Sequence, residues 1–216
     1  MNIRDFWDEA IPQSMEIPGA EAWQAILACR ASTYRGFAKV EEIHGLVNLD
    51  IRLDTAPGQD VLRTMTMRGL EEMLESAGSF DPDHRLEELI DALNFFLNLA
   101  VMDKTIDLGR LVQDLSSQFY GFGIVDPLSE PFVWTTEIND ALIDALTDMA
   151  PMLARLRNRS WQNSPQSTFF DGWPETCNFL SSVCYRLLNF FPSWESFVRY
   201  FMAKDRVLQF RIKSQY

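Results

Sequence analysis

The chain has 216 residues, 47% hydrophobic and 12% aromatic, enough apolar material for one sizeable core, which excludes disorder along its whole length. Its 31 Asp and Glu outnumber 19 Lys and Arg, so the formal charge of −12 excludes broad binding to a nucleic-acid backbone, although a small anion can still be held by a metal and a few local cations. Three cysteines without a CxxC and two histidines, His44 and His84, exclude a Cys- or His-rich zinc site.

Residues 1–20 read as an irregular lead-in whose charges leave no room for an apolar signal segment, and Ala20 to Lys39 supports a helix carrying Trp23, Ile26, Leu27, Arg30 and Tyr34. Trp23 and Tyr34 are candidate stacking residues. Residues 41–58 are ambiguous, because GLVNLDIRLD alternates like a short strand between helical neighbours and equally suits an extended loop. After Ala56-Pro57-Gly58, residues 59–76 form an amphipathic helix with Leu62, Leu70, Met73 and Leu74 on its apolar side and Thr64, Arg68, Glu71, Glu72 and Glu75 opposite. Ala77-Gly78-Ser79 ends it, and Asp81-Pro82-Asp83 supplies turn and cap chemistry for the next helix.

That next helix, Leu86 to Met102, is apolar on nearly every side. Its polar residues Glu87, Asp91, Asn94 and Asn98 fall within about 60° of one another on a helical wheel, with Glu88 at the edge of the stripe. Such a helix is expected to be buried, with the stripe facing a polar partner inside the protein. Asp91, Asn94 and Asn98 interrupt the longest apolar run, Leu89 to Met102, which is too short to cross a bilayer, so a soluble protein of the reducing cytoplasm without membrane partners is expected. Residues 103–119 keep a helical pattern, and GFGIVDPLSEP is a loop. A helix follows from about Thr136 to Arg157, kinked or divided by Pro151. Residues 158–171 read as a mobile loop, Pro174 to Phe190 as an apolar helix with Cys177 and Cys184 packed on one face, and Trp194 to Lys213 as a last helix capped by Pro192-Ser193. Phe95, Phe96, Phe179, Phe190, Phe191, Trp173 and Trp194 sit at helical spacing and read as core. The fold class is all-α, a helical bundle in a single domain.

The chemistry lies in two carboxylate pairs. Glu72 and Glu75 are three apart on one helix and Glu88 and Asp91 three apart on the next, so each pair shares a side. A short turn between the helices makes them antiparallel neighbours, able to enclose four oxygen donors, with Arg68 on the same acidic face. Oxygen-only ligation suits Mg²⁺ or Mn²⁺, and Mg²⁺ completes its shell with water and phosphate oxygens. A solvated acidic face is the alternative. Glu137 and Asp140 repeat the spacing at a helix start, where carboxylates simply favour the macrodipole.

LEEMLES (70–76) followed by EELID (87–91) resembles the ExxE…ExxD motif of the all-α nucleoside triphosphate pyrophosphohydrolases, the superfamily of the MazG-type enzymes and the dimeric dUTPases and phage dCTPases. Glu88-Leu89-Ile90-Asp91 with Asn94-Phe95 and Asn98 is similar to the ELVD…HF…N run of the dUTPase and dCTPase branch, with Asn94 where that branch often has His. The C-terminal stretch from Tyr200 is similar to an aromatic followed by KNxxNxxRQxxGY: Lys204, Arg211 and Tyr216 match, while Asp205, Leu208 and Ile212 replace Asn, Asn and Gln. The resemblance covers about 60–105 and 194–216 and leaves about 120–190 as an insertion. It implies Mg²⁺-dependent hydrolysis of a deoxynucleoside triphosphate, with pyrimidines (dUTP or dCTP) favoured. Glu72, Glu75, Glu88 and Asp91 are then metal ligands; Lys204 and Arg211 contact the phosphates, Asn98 the base or sugar, and Asn94, Arg68 and Tyr216 complete the substrate site. It also implies a homodimer or higher homo-oligomer. A purine-directed enzyme of the same superfamily and a non-catalytic acidic interaction protein are the other readings.

Overall fold

The computed structural model describes residues 20–43, 56–102, 108–117, 129–155 and 173–214. They form an all-α bundle of α1 (Ala20–Ile43), α2 (Ala56–Gly78), α3 (Pro82–Met102), α4 (Leu108–Ser117), α5 (Pro131–Arg155), α6 (Trp173–Leu188) and α7 (Trp194–Ser214), with no strand among the described residues. The strand-or-loop stretch of residues 44–55, the expected loop at 158–171 and Tyr216 lie outside them. None of the described helices is long and apolar enough to cross a membrane.

Helix α3 is the central element. Leu86, Leu89, Ile90, Leu93, Phe96, Leu97 and Leu99 are all buried, as an apolar surface on every side requires, and α3 packs against α1, α2, α6 and α7. It starts four residues earlier than its apolar run. Asp81 caps it, its Oδ1 accepting from the Asp83 backbone N–H at 3.0 Å and its carbonyl from Arg85 N–H at 2.9 Å, while Pro82 takes the first helical position, where a missing donor costs nothing. The early start places Asp83, His84 and Arg85 in the first turn.

The α2–α3 hairpin is fixed at both ends. At the turn, the buried Arg85 donates from Nε to the Ser79 carbonyl at 2.9 Å and lies over the Trp134 ring of α5 at 5.3 Å; Trp134 Nε1 donates to the Ser76 carbonyl at 3.2 Å. Further along, Gly69 lets α2 ride over Phe96: a Cβ there would lie 2.3 Å from the ring, so any side chain would push the helices apart. Helix α7 closes the bundle against α1 and α3, capped by Ser193, whose Oγ accepts from Ser196 N–H at 3.0 Å.

Four expectations change. Trp23 is fully buried against Trp194 and Phe197, with ring centroids 5.4 and 5.9 Å away, and is core rather than a stacking platform. Leu74 is exposed, because it lies about 120° around α2 from Leu62, beyond the face that α3 and α5 cover. Phe95 is only half-buried, unlike Phe96 beside it. Pro151 does not divide α5; both it and Thr147, the residue whose carbonyl it leaves without a helical donor, are exposed, so water can serve that carbonyl. Cys177 and Cys184 are buried free thiols, and burial pushes the Cys184 thiol up to about 12. Residues 131–155 and 173–188 contribute Trp134, Ile138, Phe179 and Leu180 to the same core as α2 and α3.

Candidate metal centre

The polar faces of α2 and α3 meet in register. Met65, Arg68, Glu72 and Glu75 recur at steps of three and four along α2, and Asn98, Phe95, Asp91 and Glu88 recur at the same steps down antiparallel α3. Asn98 Nδ2 donates to Met65 Sδ at 3.5 Å; the Arg68 guanidinium lies 5.9 Å from the Phe95 ring centroid; and Glu72 shares a hydrogen bond with Glu88. The result is a track of about 15 Å, ten residues at 1.5 Å each, running from carboxylates through a cation and an aromatic ring to a buried amide.

At the acidic end one oxygen from each of Glu72, Glu75 and Glu88 lies within 4.8 Å of the others, a grouping able to hold a metal ion. Burial, the hydrogen bond to Glu88 and the charges of Asp91, Glu88 and Glu75 together raise the Glu72 carboxyl to about 8. Burial also raises Glu88, against the opposing effect of the hydrogen bond from Glu72. A cation among the three carboxylates would relieve the mutual repulsion that helps raise Glu72 and Glu88. Oxygen donors of this kind, two of them half-buried or buried and one facing solvent, fit a hard divalent ion. His84 Nδ1 stands 2.7 Å from Glu88 Oε1.

Asp91, expected as the fourth member, turns instead toward α7. Its Oδ2 lies 2.6 Å from Lys204 Nζ, and the same ammonium donates to Glu87 Oε1 at 2.7 Å. Asn94 hydrogen-bonds to Asp91, and the charge of buried Arg30 acts on it from α1. Lys204 is 4% exposed; burial alone would lower its pKa, but Asp91 and Glu87 outweigh burial and raise it, so the ammonium stays charged. A second buried polar set lies beside it: Thr33 Oγ1 donates to Asp205 Oδ1 at 2.5 Å and accepts from Gln209 Nε2 at 2.6 Å.

Three of the four predicted carboxylates thus come together, and Lys204 reaches the site through Asp91 rather than lying open to a ligand. Arg211 is exposed and contacts none of these carboxylates among the described residues. Asn94 and Asn98 are buried, and the Asn98 Oδ1 has no hydrogen-bond partner among the described residues. Arg68 is exposed and, with Arg63, Thr64, Met67, Glu71 and Glu72, lines a shallow cavity of about 430 Å³ that opens beside the carboxylates. Glu137 and Asp140 are exposed on α5 and join no metal-sized cluster among the described residues. Two participants, His84 and Arg30, are not assigned to the site by the sequence, and the stripe residue Glu87 gains its partner only in the fold. His84 was signalled by its i, i+4 spacing to Glu88. Arg30 was a lone cation in an apolar helical face, and Glu87 had no visible partner until α7 was in place. No family model, curated protein or solved structure matches the chain, so the site's geometry carries the functional reading.

Proposed function

We propose that the chain is a Mg²⁺-dependent deoxynucleoside triphosphate pyrophosphohydrolase, converting a dNTP and water to the monophosphate and diphosphate, with pyrimidine nucleotides favoured by the resemblance of its motifs and Mn²⁺ a workable substitute. The observation that carries this reading is the in-register track between α2 and α3. Its chemistry changes in the order that a nucleotide's does, with metal-binding carboxylates at one end and a buried amide about 15 Å away. Arg68 lies between them, beside an open cavity, where an anionic chain passing from one end to the other needs a cation.

Glu72, Glu75 and Glu88 would hold the ion, which when bound polarises phosphate oxygens and lowers the pKa of water. Glu75, the solvent-facing carboxylate, orients the attacking water and accepts its proton as the oxygen adds to the α-phosphorus and the bond to the bridging oxygen breaks. The buried Asn98 amide meets the base or sugar. Assembly as a homo-oligomer follows from the resemblance.

The test is release of diphosphate from each of the four common dNTPs and dUTP with Mg²⁺, with Glu88→Gln as the control. Turnover of dCTP or dUTP that is lost in the control supports the reading. Turnover restricted to dATP or dGTP reassigns the base, and no turnover by folded protein overturns the enzyme.

A further inference from the structure

Glu88 and Asp91, three residues apart on α3, face different cation environments. Glu88 joins Glu72 and Glu75, none of which lies in an ion pair with Lys or Arg among the described residues. Asp91 is already neutralised by an ammonium 2.6 Å away, accepts a hydrogen bond from Asn94, and is left out of the metal-sized group although its charge acts on both Glu72 and Glu88. Lys204 is unlike a surface lysine that could swing aside. It is 4% exposed on a helix packed against α1 and α3, and its ammonium bridges two carboxylates at 2.6 and 2.7 Å.

We propose that Lys204 stands in for a second metal ion: the centre binds one divalent cation on Glu72, Glu75 and Glu88, and Asp91 is a positioning residue held by Lys204 rather than a ligand. This rests on the metal reading above. A dication on Asp91 would have to share a carboxylate with an ammonium that cannot leave without stranding Glu87 as well. Its entry would exchange a satisfied buried pair for a repelling pair of cations. The fixed ammonium also presents positive charge beside the ion site before any metal arrives, which pre-organises the site for a polyanion. A lysine that contacted substrate directly would first have to release its carboxylates, and the Lys204 ammonium is held by Asp91 and Glu87 at 2.6 and 2.7 Å.

The full-length protein is titrated with Mn²⁺, with bound ions counted by equilibrium dialysis and their mutual coupling read by electron paramagnetic resonance. The wild type is expected to bind one ion per chain, with no spin coupling between ions. Lys204→Met, which frees Asp91 and Glu87, is expected to bind two coupled ions, and Lys204→Met with Asp91→Asn to return to one. Two ions in the wild type, or one in both the wild type and Lys204→Met, would overturn the inference while leaving the metal centre standing. No ion in the wild type would overturn the metal reading itself. Should Lys204→Met fail to fold, the ¹⁵Nζ resonance of Lys204 in wild-type protein decides. Persistence of its slowly exchanging signal in saturating Mg²⁺ supports the inference, and its loss overturns it.

Discussion

Helix α3 presents carboxylates to two neighbours with opposite results. Toward α7, Glu87 and Asp91 meet a buried ammonium, and the neighbouring Asp205 accepts from Thr33; each of these carboxylates has a partner. Toward α2, Glu88 meets Glu72 and Glu75, more acids; the exposed His84 imidazole lies 2.7 Å from Glu88, but no Lys or Arg pairs with the cluster among the described residues, and the Glu72 carboxyl is pushed up to about 8. The α7 side is the more enclosed, Lys204 and Asp205 being buried while Glu75 faces solvent, so burial does not explain the contrast. What differs is whether the fold supplies the counter-charge, and where it does not, the missing cation has to come from outside. Satisfied buried charge here locks elements together; unsatisfied charge marks the place for a ligand.

The largest effect is expected from breaking the satisfied side. Lys204→Met leaves Glu87 and Asp91 without the ammonium that bridges them and should cost about 3–5 kcal/mol of unfolding free energy, measured by urea denaturation in the absence of metal. A cost below about 1 kcal/mol would show that the ammonium does not lock α7 to α3.

On the unsatisfied side the expected sign reverses. Glu72 is raised to about 8 in the folded protein from an ordinary value near 4.5, so between those values the native state binds the extra proton. Stability of the metal-free protein should therefore fall as pH rises from about 4.5 to about 8. Glu88 and Asp91 are raised as well and act in the same direction, while Lys204 titrates above that window. Added Mg²⁺ should oppose this fall, because it competes with the proton, and at one hundred times its dissociation constant should return about 2.7 kcal/mol. Glu72→Gln should raise the metal-free melting temperature at pH 8 by about 2–4 °C, the equivalent of about 1 kcal/mol in a chain of this size, and abolish the response to Mg²⁺. A metal-free stability that climbs between pH 5 and 8 would be incompatible with the raised carboxyl.

The two sides were not equally legible in the sequence. The antiparallel hairpin, its short turn and the Glu72, Glu75 and Glu88 grouping follow from i, i+3 spacing and helix punctuation, which are local properties. Asp91 was drawn into that grouping by the same spacing, and its true partner, Lys204, is 113 residues later in the chain and unreachable by any periodicity. Arg30, Thr33 and Asp205 were hidden for the same reason: their contacts join α1 to α7 across the core. Helices α3 and α5 start at Pro82 and Pro131, ahead of an apolar pattern that begins about a turn after the cap.

A packing change should separate the side that depends on register from the side that does not. Gly69→Ala sets a Cβ 2.3 Å from the Phe96 ring, on the helix pair that carries the acidic cluster, and should cost about 1–3 kcal/mol. The α2–α3 spacing would widen by the shift needed to relieve that contact, so Mg²⁺ affinity should fall as well. The Lys204 bridge, made between α3 and α7, should survive, and its ¹⁵Nζ signal offers the check.

The smallest effect tests the far end of the track. Asn98 is 5% exposed; among the described residues its Nδ2 reaches only the weak acceptor Met65 Sδ at 3.5 Å and its Oδ1 has no partner. An amide in that state destabilises the folded protein relative to an apolar side chain of similar volume, so Asn98→Leu should stabilise the ligand-free protein by about 1 kcal/mol. The same substitution removes an open acceptor from the place where the nucleotide's base or sugar is proposed to lie. Turnover should drop while Mg²⁺ affinity, set about 15 Å away at the carboxylates, stays put. Stabilisation with turnover intact would make Asn98 an ordinary imperfection of the core; destabilisation would mean that its oxygen has a partner in the folded chain. Gain in stability with loss of turnover is the signature of a polar group kept open for a ligand, as the Glu72, Glu75 and Glu88 cluster lacks the ammonium that Asp91 has.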